Sequence, residues 1–62
     1  MNYRQIEKLL RNNGWVRVRS KGSHRHFRHP SKQGTITVPY HGGGARISPG
    51  TVLSILKQAG LR

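Results

Sequence analysis

The chain of 62 residues sets 12 Lys or Arg against a single acid, Glu7, for a formal charge of +11, and it contains no cysteine. That length allows one small domain burying only about 60% of the surface its unfolded form exposes, and without cysteine there are neither disulfides nor thiolate metal sites. The charge points to a polyanionic partner, whether nucleic acid, an anionic membrane or an acidic protein, while no apolar run approaches the roughly 20 residues that span a bilayer. Met1 leads into a polar helix instead of a signal peptide's apolar stretch, so a cytoplasmic protein is expected. Leu, Ile, Val and Phe make up 14 of the 62 residues, above the roughly 20% below which a highly charged chain stays disordered. A fold is expected.

Asn2 with Gln5 three residues later has the form of a capping box, and Met1 and Ile6 occupy the positions of a hydrophobic staple. A first helix follows, with Ile6, Leu9 and Leu10 on one face. Gly14 should end it in the left-handed conformation, with Trp15 folding back on Leu10. From Trp15 to Arg19 the period changes to two, which predicts a first strand. Ser20 to Ser23 is a hairpin turn, and a second strand runs from His24 to His29. Pro30 to Gly34 is a polar turn before a third strand over Thr35 to Tyr40, which Pro39 assigns to a sheet edge.

Gly42, Gly43 and Gly44 suggest a flexible link to the last helix. Ser48 caps that helix, Pro49 occupies its first position, and Ile47 with Val52 forms the staple. Val52, Leu53, Leu56 and Ala59 give its expected buried stripe, and Gly60 stops it, with Leu61 against Leu56. The whole reads as a two-layer α+β domain of order α-β-β-β-α, with a three-stranded antiparallel sheet and both helices on one face.

Strand parity then places chemistry. If Val16, Val18, Phe27, Ile36 and Val38 face the helices, Arg17, Arg19, His24, His26, Arg28, Thr35 and Thr37 share the open face, with Arg25 and His29 at the rim of Phe27's face. A solvated sheet face is the ordinary fate of such residues, but like charges opposed across strands destabilise a sheet, so an anion is expected there. Arg17, Arg19, Lys21, Arg25, Arg28 and Lys32 supply phosphate contacts and predict steeply salt-dependent binding. The N-terminus of the last helix, Ser48 to Gly50, is a further possible phosphate contact.

No metal or other cofactor is expected. His24, His26, His29 and His41 are ligands in type, yet the first three do not share a strand face and no Cys or suitably placed carboxylate supports them. A two-metal nuclease needs carboxylates, and Glu7 stands alone. Metal-free cleavage of RNA fits better, because the 2′-OH is its own nucleophile. The protein then needs only a proton acceptor or donor, which histidine supplies near neutral pH, and cations for the charged transition state. Parity leaves His24 and His26 as candidates. The same residues also suit a non-catalytic double-stranded-RNA-binding module, or a protein whose only partner is acidic.

Leu9 to Val16, Gly22-Ser23-His24 with Phe27-Arg28-His29-Pro30, Val38-Pro39-Tyr40-His41, Pro49-Gly50-Thr51, and Ile55 through Leu61 together resemble the HicA-type mRNA interferases, the toxins of HicAB type II toxin-antitoxin systems. The resemblance implies a double-stranded-RNA-binding-domain-like fold over residues 1–62. It also implies endoribonuclease activity on mRNA that arrests growth, and an acidic HicB-type antitoxin covering the active site. It assigns the catalytic histidine to His24 and the motif glycine to Gly22. Ser23, Lys21, Arg17, Arg19, His26 and Arg28 are the expected RNA-binding neighbours. The chain departs from the family it resembles at Gly42 to Ala45, where most members would have a more polar, lysine-containing segment.

Overall fold

Local chemistry sets the ends of both helices. In the computed structural model, which describes all 62 residues, α1 spans Tyr3–Asn12 and α2 spans Pro49–Gln58. The Asn2 side chain accepts from the Gln5 amide while the Gln5 side chain accepts from the Asn2 amide, both at 2.9 Å, so two of the helix's otherwise unpartnered donors are satisfied reciprocally. The Gly14 amide donates to the Arg11 carbonyl and the Trp15 amide to the Leu10 carbonyl. With φ +91° at Gly14, this is a Schellman ending. Helix α2 repeats the solution: Ser48 accepts from the Thr51 amide, Gly60 has φ +74°, and the Gly60 and Leu61 amides donate to Lys57 and Leu56.

The strands are β1 (Val16–Lys21), β2 (His24–His29) and β3 (Lys32–Pro39), antiparallel in the order β1-β2-β3. Gly22, with φ +57°, and Ser23, with negative φ, join the first two strands. Those signs belong to a type II′ hairpin turn, whose first central position favours glycine. Both helices pack on one face of the sheet. The core joins Tyr3, Ile6 and Leu10 of α1, Trp15, Phe27, Ile36 and Val38 around the sheet, and Ile47, Ile55 and Ala59 of the C-terminal part. No helix is long and apolar enough to cross a membrane.

Four expectations need correction. The parity of β1 is reversed: Arg17 pairs with Phe27 and faces the helices, whereas Val16 and Val18 are 54% and 55% exposed. A bulge is the cause. Arg17 opposes Phe27 but Arg19 opposes His26, so Val18 is an extra residue and Arg19 returns to the open face. On the helix side the Arg17 guanidinium lies 3.9 Å from the Glu7 carboxylate, which also attracts Arg11 at 3.7 Å. The chain's one acid thereby accounts for the inward arginine.

The buried stripe of α2 runs through Val52, Ile55, Leu56 and Ala59, with Ile55 and Ala59 fully buried and Leu53 turned outward. That is the i, i+3, i+4, i+7 set of one helical face. Strand β3 starts at Lys32, earlier than the polar turn predicted, and four of its steps (Lys32 to Ile36) face two of β2 (Phe27 to His29). Gly34, with φ +87°, lies in that irregularity.

Finally, the Gly42–Gly44 segment is not a free hinge. Gly43 and Ala45 carbonyls accept the Arg4 and Tyr3 amides, at 3.0 and 3.1 Å, and the Ile47 amide donates to the Met1 carbonyl at 2.8 Å. The loop thus caps the N-terminal donors of α1. A side chain at Gly43 would displace the Arg4 guanidinium, which lies over it.

Candidate nucleic-acid interface

Strand β2 carries the candidate site residues, and it is regular from His24 to Phe27 and paired on both sides. His24 lies between Lys21 of β1 and Pro39 of β3, and His26 between Arg19 and Thr37. Phe27, Ile36 and Val38 are buried on the opposite face, so His24, His26 and Arg28 project away from the helices. Sequence parity placed these three correctly.

Two features of the open face are specific. First, the His26 Nδ1 and Thr37 Oγ1 atoms are 3.0 Å apart, a hydrogen bond that fixes the imidazole across the β2–β3 pair. Second, Val18, Arg19, His26, Arg28 and Thr35 line a depression of about 270 Å³. It lies between the bulge at Val18 and the irregular stretch of β3. The bulge is what turns Val18 and Arg19 to the same side, a usual effect of an extra residue in one strand. His24 is exposed and sits at the first position of β2, just past the Gly22–Ser23 turn. Lys21, opposite it, adds a further cation at this end.

The other expected residues are engaged elsewhere. Arg17 pairs with Glu7 on the helix side. Arg25 also faces the helices, its guanidinium 3.5 Å from the Tyr40 ring centroid and 5.4 Å from that of Tyr3, in cation–π contact. The Lys32 ammonium donates to the Ala59 carbonyl at the end of α2, at 3.0 Å, where the helix dipole favours a cation. His29 Nε2 donates to the Asn13 carbonyl and Nδ1 accepts from the Ser31 amide, both at 3.0 Å, and its ring meets Trp15 edge-on. These bonds tie the β2–β3 turn to the end of α1. His41 borders a different depression, with Arg46, Ser48 and Thr51 at the start of α2. The four histidines therefore fall in three places, His24 and His26 sharing the open face, and no three of the potential metal-ligating side chains converge.

Sequence reasoning did not anticipate the Tyr3, Arg25 and Tyr40 cluster. Tyr3 donates its hydroxyl to Glu7 at 2.9 Å and meets the Tyr40 ring edge-on. Burial pushes its pKa up, and the bond to Glu7 adds to the rise because only the neutral phenol can donate. The spacing of Tyr3 and Glu7, one helical turn apart, was the available signal.

Cations lie on both faces, but the acidic side chain lies on one. The sole acidic side chain lies on the helix side among Arg11, Arg17 and Tyr3, and the open face carries Arg19, Lys21 and Arg28 with two histidines and no acidic side chain. Residues 3–61 match the family described as the HicA toxin of bacterial toxin-antitoxin systems. The chain belongs to the HicA toxin family. The match spans both helices and all three strands, and it makes this chain the toxin of a toxin-antitoxin pair. No individual curated protein matches it.

Proposed function

We propose that this toxin is a metal-independent endoribonuclease that cleaves mRNA in the cytoplasm and so arrests growth, residues 1–62 acting as one RNA-binding and RNA-cleaving domain. The observation that carries the reading is the acid-free open face on which His24 and His26 stand among Arg19, Lys21 and Arg28. His24 is the general acid or base, in keeping with its place in the Gly22-Ser23-His24 motif. Arg19, Lys21 and Arg28 hold phosphate, and the Gly22–Ser23 turn brings backbone close to the strand. Arg17 contributes through the long-range field, since its guanidinium is turned to Glu7.

The chemistry needs little from the protein. The 2′-oxygen attacks phosphorus, the 5′-oxygen leaves, and the products are a 2′,3′-cyclic phosphate and a 5′-hydroxyl. Cationic side chains stabilise the extra negative charge of the transition state, and imidazole transfers protons near neutral pH. A HicB-type antitoxin, acidic on its contacting surface, neutralises the toxin by covering this face. Such an encounter is steered by charge.

Incubating purified toxin with mRNA in the presence of a chelator tests the reading. RNA fragments ending in 2′,3′-cyclic phosphate are expected, with DNA of the same sequence untouched. Tight RNA binding with every strand intact would favour a non-catalytic RNA-binding module. Loss of all cleavage on chelation would overturn the metal-independent mechanism.

A further inference from the structure

His24 alone accounts for one proton transfer, but cleavage of an RNA phosphodiester moves two. The 2′-hydroxyl must lose a proton as its oxygen bonds to phosphorus, and the departing 5′-oxygen must gain one as its bond to phosphorus breaks. We infer that His26 is the second proton-transfer group, with the scissile phosphate held between the His24 and His26 imidazoles, beside the depression that His26 lines with Arg19, Arg28 and Thr35. The inference rests on the ribonuclease reading of the same face.

Three observations carry it. His24 and His26 are two residues apart on one face of β2, a separation of about 6.6 Å along a strand. That leaves room for a phosphate between the two rings, with one ring toward each of the oxygens that change protonation. Next, His26 is the open-face histidine whose ring is held: Thr37 Oγ1 binds Nδ1 at 3.0 Å, Nε2 has no partner within the chain, and the residue borders the depression. A held ring at the reacting atom is the usual requirement for efficient proton transfer. Lastly, two irregularities of pairing, at Val18 in β1 and between Lys32 and Ile36 in β3, lie on either side of His26 and Arg28. Bulges of this kind re-aim side chains, and here they gather Arg19, Arg28 and Thr35 around His26. The charged and titratable groups facing His26 are Arg19 from β1 and Arg28 and His24 from β2, whereas β3 presents the neutral Thr35 and Thr37.

In the balanced step, one imidazole takes the 2′-hydroxyl proton and the other gives its proton to the 5′-oxygen. The pair ends with its charge exchanged, and no metal or co-reactant is consumed. Arg19 and Lys21, opposite His26 and His24 across the β1–β2 pair, meet the non-bridging oxygens. Thr37 is a positioning residue that acts through His26.

The test is the pH–rate profile of RNA cleavage by the folded parent and by His26→Ala, with melting temperature confirming that the variant is folded. His26→Ala should lower kcat by about 10²- to 10⁴-fold, leave KM nearly unchanged, and remove one limb of a bell-shaped profile. Thr37→Val should lower kcat by less, with Thr37→Ser restoring it. A substrate with sulfur in place of the 5′-bridging oxygen, whose thiolate leaves without a proton, should rescue whichever histidine variant has lost the acid. Rescue of neither His24→Ala nor His26→Ala overturns the assignment. So does a His26→Ala enzyme that keeps both limbs or changes only KM. A parent protein that cleaves no RNA at all overturns the ribonuclease reading and this inference with it.

Discussion

The two faces of β2 behave differently although they alternate along the same six residues. On the helix side Arg25 stacks on Tyr40, Phe27 fills the core, and His29 is hydrogen-bonded through both ring nitrogens. On the open side His24 and Arg28 are exposed, and His26 has one nitrogen bound and one free. Residue type does not separate the faces, since each carries histidine and arginine. Engagement does: the helix-side cations of β2 have partners within the chain, whereas Arg28 and His24 on the open face make no ion pair or hydrogen bond within it.

The largest expected effect separates the faces by stability. Phe27→Ala empties a fully buried site and should cost about 3–5 kcal/mol, enough to unfold much of so small a domain. Arg28→Ala, one residue away on the other face, should change stability by no more than about 0.5 kcal/mol. It should instead weaken RNA binding and reduce the slope of log affinity against log salt by about one unit, as one phosphate contact is lost. Thermal unfolding and RNA titration at several salt concentrations read the two outcomes. Equal stability losses in both variants would erase the contrast between faces.

A smaller effect probes the helix side by pH. The folded-state pKa of Tyr3 is raised by burial and by its bond to Glu7, so the folded protein holds that proton more tightly than the unfolded chain does. The stabilisation is present below the unfolded value of about 10 and is lost as pH rises through the folded value. Tyr3→Phe should lower stability by about 1 kcal/mol near neutral pH and flatten the alkaline decline relative to the parent. Melting curves of both proteins from pH 8 to pH 11 measure it, and parallel declines would contradict the assignment.

How much of this was legible in the sequence depended on how local each determinant is. The helix ends were legible because their chemistry lies within a few residues: Asn2 with Gln5, Ser48 with Pro49, and Gly14 and Gly60 at the left-handed positions. The open-face placement of His24, His26 and Arg28 was legible because β2 alternates without interruption from His24 to Phe27. Strand β1 alternates just as clearly, Val-Arg-Val-Arg, but alternation does not say which set faces inward. Pairing with Phe27, attraction to Glu7 and the bulge at Val18 decided that, and all three are contacts between distant residues. For the same reason the Gly42–Gly44 segment looked like a hinge, since its partners are the first amides of α1, some 40 residues earlier. In the candidate site, residue type and parity led to two histidines, and the bulges that shape the depression around His26 left no sequence mark beyond Gly34.

The central claim is that the open face of β2 cleaves RNA through His24. Its most direct test is the rate of mRNA cleavage, and the accompanying growth arrest, for His24→Ala beside the parent at matched melting temperature. A loss of about 10²- to 10⁴-fold with RNA binding retained is the predicted result. A folded His24→Ala protein that cleaves mRNA and arrests growth as the parent does would contradict the account.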